Sequence, residues 1–72
     1  MYKLTTEKYM MIADYIINTT TAERMAKISL RLREMLYNGE VSWVEYKGLM
    51  GYRSRNEAEH GYGAKVIELM NA

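Results

Sequence analysis

Apolar residues recur along this chain at helical rather than strand spacing. Tyr9, Ile12, Ala13, Ile16 and Ile17 form one stripe, the i, i+3, i+4, i+7 repeat of a helix with a single buried face. Thr5 or Thr6 is placed to cap its start, and Glu7 suits the positive end of the helix dipole. Asn18 and the Thr19-Thr20-Thr21 run compete for backbone hydrogen bonds and end it. The pattern predicts a first helix over about 6–18. Met25, Ile28, Leu32 and Met35 repeat next, joined by Ala22, Ser29 and Leu36, which predicts a second helix over about 21–37. Thr20 and Glu23 have capping-box spacing at its start, and Glu23 and Lys27 the spacing of an i,i+4 ion pair. Asn38-Gly39 is a stop signal. Leu30 and Tyr37 lie off this stripe, beside Arg33 and Glu34. They are expected to pack on the first helix or on another copy of the chain.

Two Ser-x-x-Glu tetrads follow, Ser42-Trp43-Val44-Glu45 and Ser54-Arg55-Asn56-Glu57. Each has the form of a capping box, in which serine accepts from the N3 backbone N–H and glutamate reaches back to the serine N–H. Val41 and Tyr46 flank the first as a hydrophobic staple, making Ser42 the firmest boundary in the chain. Trp43, Tyr46, Leu49 and Met50 supply an apolar face. Gly48 within it weakens the helix by about 1 kcal/mol relative to alanine, which close approach of another helix would explain. Gly51 stands where a left-handed C′ residue is needed if a new helix starts at Ser54. The predicted elements are therefore a helix over about 43–50, a Gly51-Tyr52-Arg53-Ser54 turn, and a helix from 55.

Ala58, Tyr62, Val66 and Leu69 continue a helical stripe, whereas Gly61 and Gly63 oppose it by about 2 kcal/mol together. A break at His60-Gly61-Tyr62-Gly63 is the favoured reading, giving helices over about 55–60 and 64–70, with one continuous helix as the alternative. No alternating strand pair is visible, so no wing is expected. The fold expectation is one all-α domain, 1–72, of three to four helices. Its core is expected around Ile12, Ile16, Ile28, Leu32, Leu36, Trp43, Leu49 and Val66.

At 72 residues the chain is near the lower limit for independent folding, burying only about 60% of its unfolded surface. Without cysteine it has neither disulfides nor thiolate-bound zinc to add stability, so a homodimer is the expected remedy. Absence of proline fits an all-helical chain, and seven methionines fill the place of the missing phenylalanine in a core. No membrane span or secretory signal is visible, and a cytoplasmic protein is expected. The net charge of +1 conceals an asymmetry. Residues 24–55 carry seven cations against three carboxylates, whereas residues 1–23 and 56–72 are each mildly acidic. A basic middle suits nucleic acid or an acidic protein.

The segment from Ser42 to Asn56 resembles the first helix and turn of helix-turn-helix DNA-binding domains. Their Leu-x-Gly-aromatic-x-Ser pattern is matched by Leu49, Gly51, Tyr52 and Ser54. The segment departs from the family at Lys47, where a small residue is usual, and at Gly61 and Gly63, which interrupt the recognition helix. The resemblance implies a regulator whose second helix enters the major groove, with Arg53, Arg55 and Asn56 at base edges. It also implies that Arg31, Arg33 and Lys47 contact phosphates.

Catalysis is not expected. His60 is the lone histidine, Glu57, Glu59 and His60 lack metal-ligand spacing, and Gly61-Tyr62-Gly63 lacks the Lys-Ser/Thr of a phosphate-binding loop. No cofactor, metal or small-molecule substrate is expected either. The alternative function is a stoichiometric protein-binding inhibitor or adaptor, of the style of small phage and mobile-element proteins. Tyr37, Tyr52 and Tyr62, together with Tyr2, are its candidate contact residues, being of a type enriched at binding hot spots.

Overall fold

Threonine and serine hydroxyls start the first three helices of the protein, which is described from a computed structural model covering residues 4–72. Helix α1 runs Thr6–Ile17, α2 Ala22–Tyr37, α3 Trp43–His60 and α4 Gly63–Met70, with no strand among the described residues. Thr5 caps α1 by accepting from the Lys8 N–H at 3.1 Å. Helix α2 is capped by Thr21, which accepts from the Arg24 N–H at 3.3 Å, and not by the expected Thr20–Glu23 box. The helix begins one residue later than that box requires, so the N3 position is Arg24. Glu23 and Lys27 also form no ion pair. Gly39 takes the left-handed conformation at φ 76° after α2, as the Asn38-Gly39 stop requires.

The Ser42 box forms as expected. Glu45 N–H donates to Ser42 Oγ at 3.1 Å, and Ser42 N–H donates to Glu45 Oε1 at 2.8 Å. Val41, just upstream, is buried. From there α3 continues without a break to His60. The expected turn at Gly51-Tyr52-Arg53-Ser54 is absent, and with it the boundary that would make a helix-turn-helix of residues 43–60. Gly51 is helical, and Ser54 is an exposed interior residue. Leu49 and Asn56, seven residues apart, lie on one face and are both buried, with Tyr52 and Arg53 half-buried between them. A turn would take Asn56 off that line, so the packing of the whole face overrides the roughly 1 kcal/mol cost of an interior glycine. The break after His60 does occur. Gly61 adopts φ 72°, its N–H bonding to Glu57 O, and α4 resumes at Gly63.

Helix α3 is the hub, packing against α1, α2 and α4, while α2 also packs on α4. The core joins Ile16, Met25, Leu32, Leu49 and Val66 with the small residues Ala13, Ala22 and Ala26. Ile12 sits at its edge, and Leu36 is half-buried. Trp43 departs from expectation: it is 59% exposed and stacks on Tyr46 at 5.8 Å between ring centroids. As the first residue of α3 it lies beyond the end of the core. Leu30 and Tyr37 are exposed too, and neither is covered by α1. At Gly48 a Cβ would collide with the Tyr9 hydroxyl, so the expected close approach is that of α1.

Candidate functional site

Residues grouped by sequence as a DNA-reading end are divided by the structure between interior and surface. Asn56 is 4% exposed. Its Nδ2 donates to Ile17 O at 3.2 Å and Thr19 O at 2.9 Å, and its Oδ1 accepts from the Tyr62 hydroxyl. Those two carbonyls lie at the C-terminal end of α1, where a helix leaves acceptors without intrahelical partners. Asn56 is thus a clamp between α1 and α3, closed by the loop residue Tyr62. Burial and the nearby Glu57 carboxylate push the Tyr62 phenol above its ordinary value of 10.0, so it stays protonated and donating. Thr19 adds a bond from its hydroxyl to Tyr15 O at 2.7 Å.

Arg53 is held as well. Its Nε donates to Glu57 Oε2 at 2.6 Å, with the two side chains only 17% and 12% exposed. Glu57 therefore pairs one turn back within α3 and does not serve as a cap for Ser54. Arg55 is exposed, with its guanidinium 5.5 Å from the centroid of the Tyr52 ring. His60 Nδ1 lies 3.0 Å from Asn56 O and its ring stacks on Tyr62. Arg33 and Lys47 are exposed on α2 and α3. Arg31, also exposed, pairs with Glu34 and reaches Glu40 at 4.0 Å. Of the candidate tyrosines, Tyr52 and Tyr62 pack against the core, Tyr37 is 78% exposed, and Tyr2 lies outside the described residues.

An open depression lies elsewhere. Helices α1 and α2 are consecutive yet barely touch, because α1 packs on α3 and α2 mainly on α4. The space between them is an open trough of about 580 Å³. Ile12, Ile28, Leu32 and Met35 form its apolar floor, and Arg24, Lys27 and Arg31 its charged rim against Glu23. A second hollow of about 330 Å³ shares Ile12, Arg31 and Met35 with the first and extends the trough toward Lys8, Met11 and Glu40. Four cations thus face two carboxylates along the whole length. At one end Arg24 bridges the trough, its guanidinium 5.8 Å from the Tyr15 ring centroid. Met11 and Tyr15, both more than half exposed, widen the apolar surface on the α1 side.

Sequence reasoning picked out Arg31 from this site but attributed to it a different role. Ile12, Ile28 and Leu32 were legible as core, and the signal that they also floor a trough is absent from periodicity. It depends on which helices pack together. Among the described residues no three His, Asp or Glu side chains converge as metal ligands, and no helix is long and apolar enough to cross a membrane. The chain matches no model of a known protein family, no curated protein and no solved structure. The fold and site together define a small all-α domain with a basic-rimmed apolar trough between its first two helices.

Proposed function

We propose that this protein is a non-enzymatic binding module that acts by stoichiometric association with a protein target, seated in the α1–α2 trough. The observation that carries this reading is the open trough of about 580 Å³ between two helices that do not close on each other, with half-buried Ile12 and Met35 lining it above the buried Ile28 and Leu32. A concave, mostly apolar depression with a few charged groups at its edge is the form a binding site takes. Its floor belongs to a core that α3 holds in place, so the surface is formed before the partner arrives and little ordering cost falls on binding.

The DNA reading, by contrast, draws less support from the same residues. Asn56 and Arg53 are engaged within the fold, and freeing either for a base edge would break the α1–α3 clamp or the Glu57 pair. Arg55 alone of the three readout candidates is exposed.

The test compares the wild-type protein with an Ile12→Glu/Met35→Glu variant whose helical signal is shown to be unchanged. Wild type immobilised in a lysate of its source cells should retain a target at near 1:1 stoichiometry, and the variant should lose it. Anisotropy against random duplex DNA at about 50 and 200 mM salt should show no binding. Micromolar DNA binding that falls with a log–log salt slope near −3 to −4, the value for about four phosphate contacts, would overturn the reading in favour of a nucleic-acid partner.

A further inference from the structure

The trough has a shape and charge that select one kind of occupant, and this inference rests on the protein-binding reading above. Its floor on α2 is the row Ile28, Leu32 and Met35, at i, i+4 and i+7. Its other wall is also a helix. A groove between two helices accepts the ridge of a third at the usual packing angles. The lining on the α2 side runs from its cap Thr21 to Met35, which at 1.5 Å per residue is about 21 Å, the length of a helix of about 14 residues. No sheet edge exists among the described residues to accept an extended peptide.

Charge narrows the choice further. Lys8, Arg24 and Lys27 stand along the trough and form no ion pair among the described residues. Arg31 is already shared between Glu34 and Glu40. Glu23 is unpaired as well, so three unpaired cations stand against one carboxylate and the net unanswered charge at the rim is positive. A partner that buries its apolar face there and leaves its flanks at the rim gains most when those flanks are carboxylates.

We propose that the α1–α2 trough binds an amphipathic helix of about four turns with acidic flanks, its apolar residues spaced i, i+3/i+4 and i+7 against Ile12 and Met35 over the buried Ile28 and Leu32. The bound helix completes a bundle that α1 and α2 leave open.

The probe is a set of fluorescein-labelled 15-residue peptides. One carries leucines at helical spacing with glutamate flanks, the second the same leucines with lysine flanks, and the third is a scramble of the acidic peptide. The acidic amphipathic peptide should bind the full-length protein at micromolar concentration and gain helicity. The lysine-flanked peptide should bind about tenfold more weakly, as expected for three exposed pairs of modest strength each, and the scramble not measurably. An Arg24→Glu/Lys27→Glu variant should reverse the preference between the two charged peptides. Both substituted side chains are exposed, so folding is not at risk. Ile12→Glu should remove binding of both peptides.

Equal binding of acidic and basic amphipathic peptides would overturn the charge assignment while leaving the protein-binding reading intact. Equal binding of the scramble would show that charge alone acts, and would overturn the helix. Absence of all peptide binding overturns this inference, and salt-sensitive binding of duplex DNA in the same assay overturns the protein-binding reading as well. Concentration-dependent self-association that Ile12→Glu abolishes would make a second copy of the chain the occupant and overturn the acidic helix.

Discussion

The two halves of α3 carry the same Ser-x-x-Glu tetrad and use it in different ways. At Ser42 the chain arrives from a left-handed Gly39 and a buried Val41, so the serine stands outside the helix with its N–H and hydroxyl both available to Glu45. Twelve residues later Ser54 has a full helical turn on either side. Its tetrad partner Glu57 is taken by Arg53, and the neighbouring Asn56 is buried on α1. A capping box is therefore a property of how the chain enters a helix, and the tetrad alone does not create the entrance. What holds the second half helical is its tertiary clamp.

The largest test of that contrast is removal of the clamp. Asn56→Ala removes the side-chain donor to Ile17 O and leaves Thr19 O and the Tyr62 hydroxyl with only their mutual 3.3 Å bond, and should destabilise the protein by about 2 kcal/mol, read from the urea midpoint at unchanged slope. A loss below about 0.5 kcal/mol would mean that the second half of α3 is held by something else. Next come the two serines. Ser42→Ala should cost about 1 kcal/mol, whereas Ser54→Ala should change stability by less than about 0.5 kcal/mol in either direction. Equal losses at both would restore a helix start at Ser54.

Glycines give the finest comparison, because Gly48 and Gly51 share one helix and differ only in their surroundings. Nothing lies within 4 Å of a Cβ at Gly51, so Gly51→Ala should stabilise by about 0.8 kcal/mol. A left-handed turn at this position would make the same change destabilising. Gly48→Ala meets the Tyr9 hydroxyl instead and should lose that gain, and adding Tyr9→Phe should restore it.

Much of the fold was legible in the chain. The stripes through Ile16, Leu32, Leu49 and Val66, the caps at Thr5 and Ser42 and the stops at Gly39 and Gly61 all follow from local preferences, and each appears in the structure. The misread segment is the one where a polar residue occupies a core position. With Asn56 counted as buried, Leu49, Tyr52, Arg53 and Asn56 continue a single helical face through Gly51. Counted as a surface residue, it ends that face and suggests a recognition helix. Trp43 was misplaced for the converse reason, since an apolar residue in the first turn of a helix need not reach the core.

The sequence by itself determined that this protein is a chain of helices and where most of them start and stop, because caps, left-handed glycines and apolar periodicity act over a few residues. Only the tertiary structure decided that α3 is unbroken, that Asn56 and Arg53 face inward, and that α1 and α2 stand apart with a basic-rimmed trough between them. Those outcomes depend on contacts between residues as far apart as Ile17 and Asn56. Which face of a helix meets a neighbour, and which is left open, is fixed by the packing of the whole set.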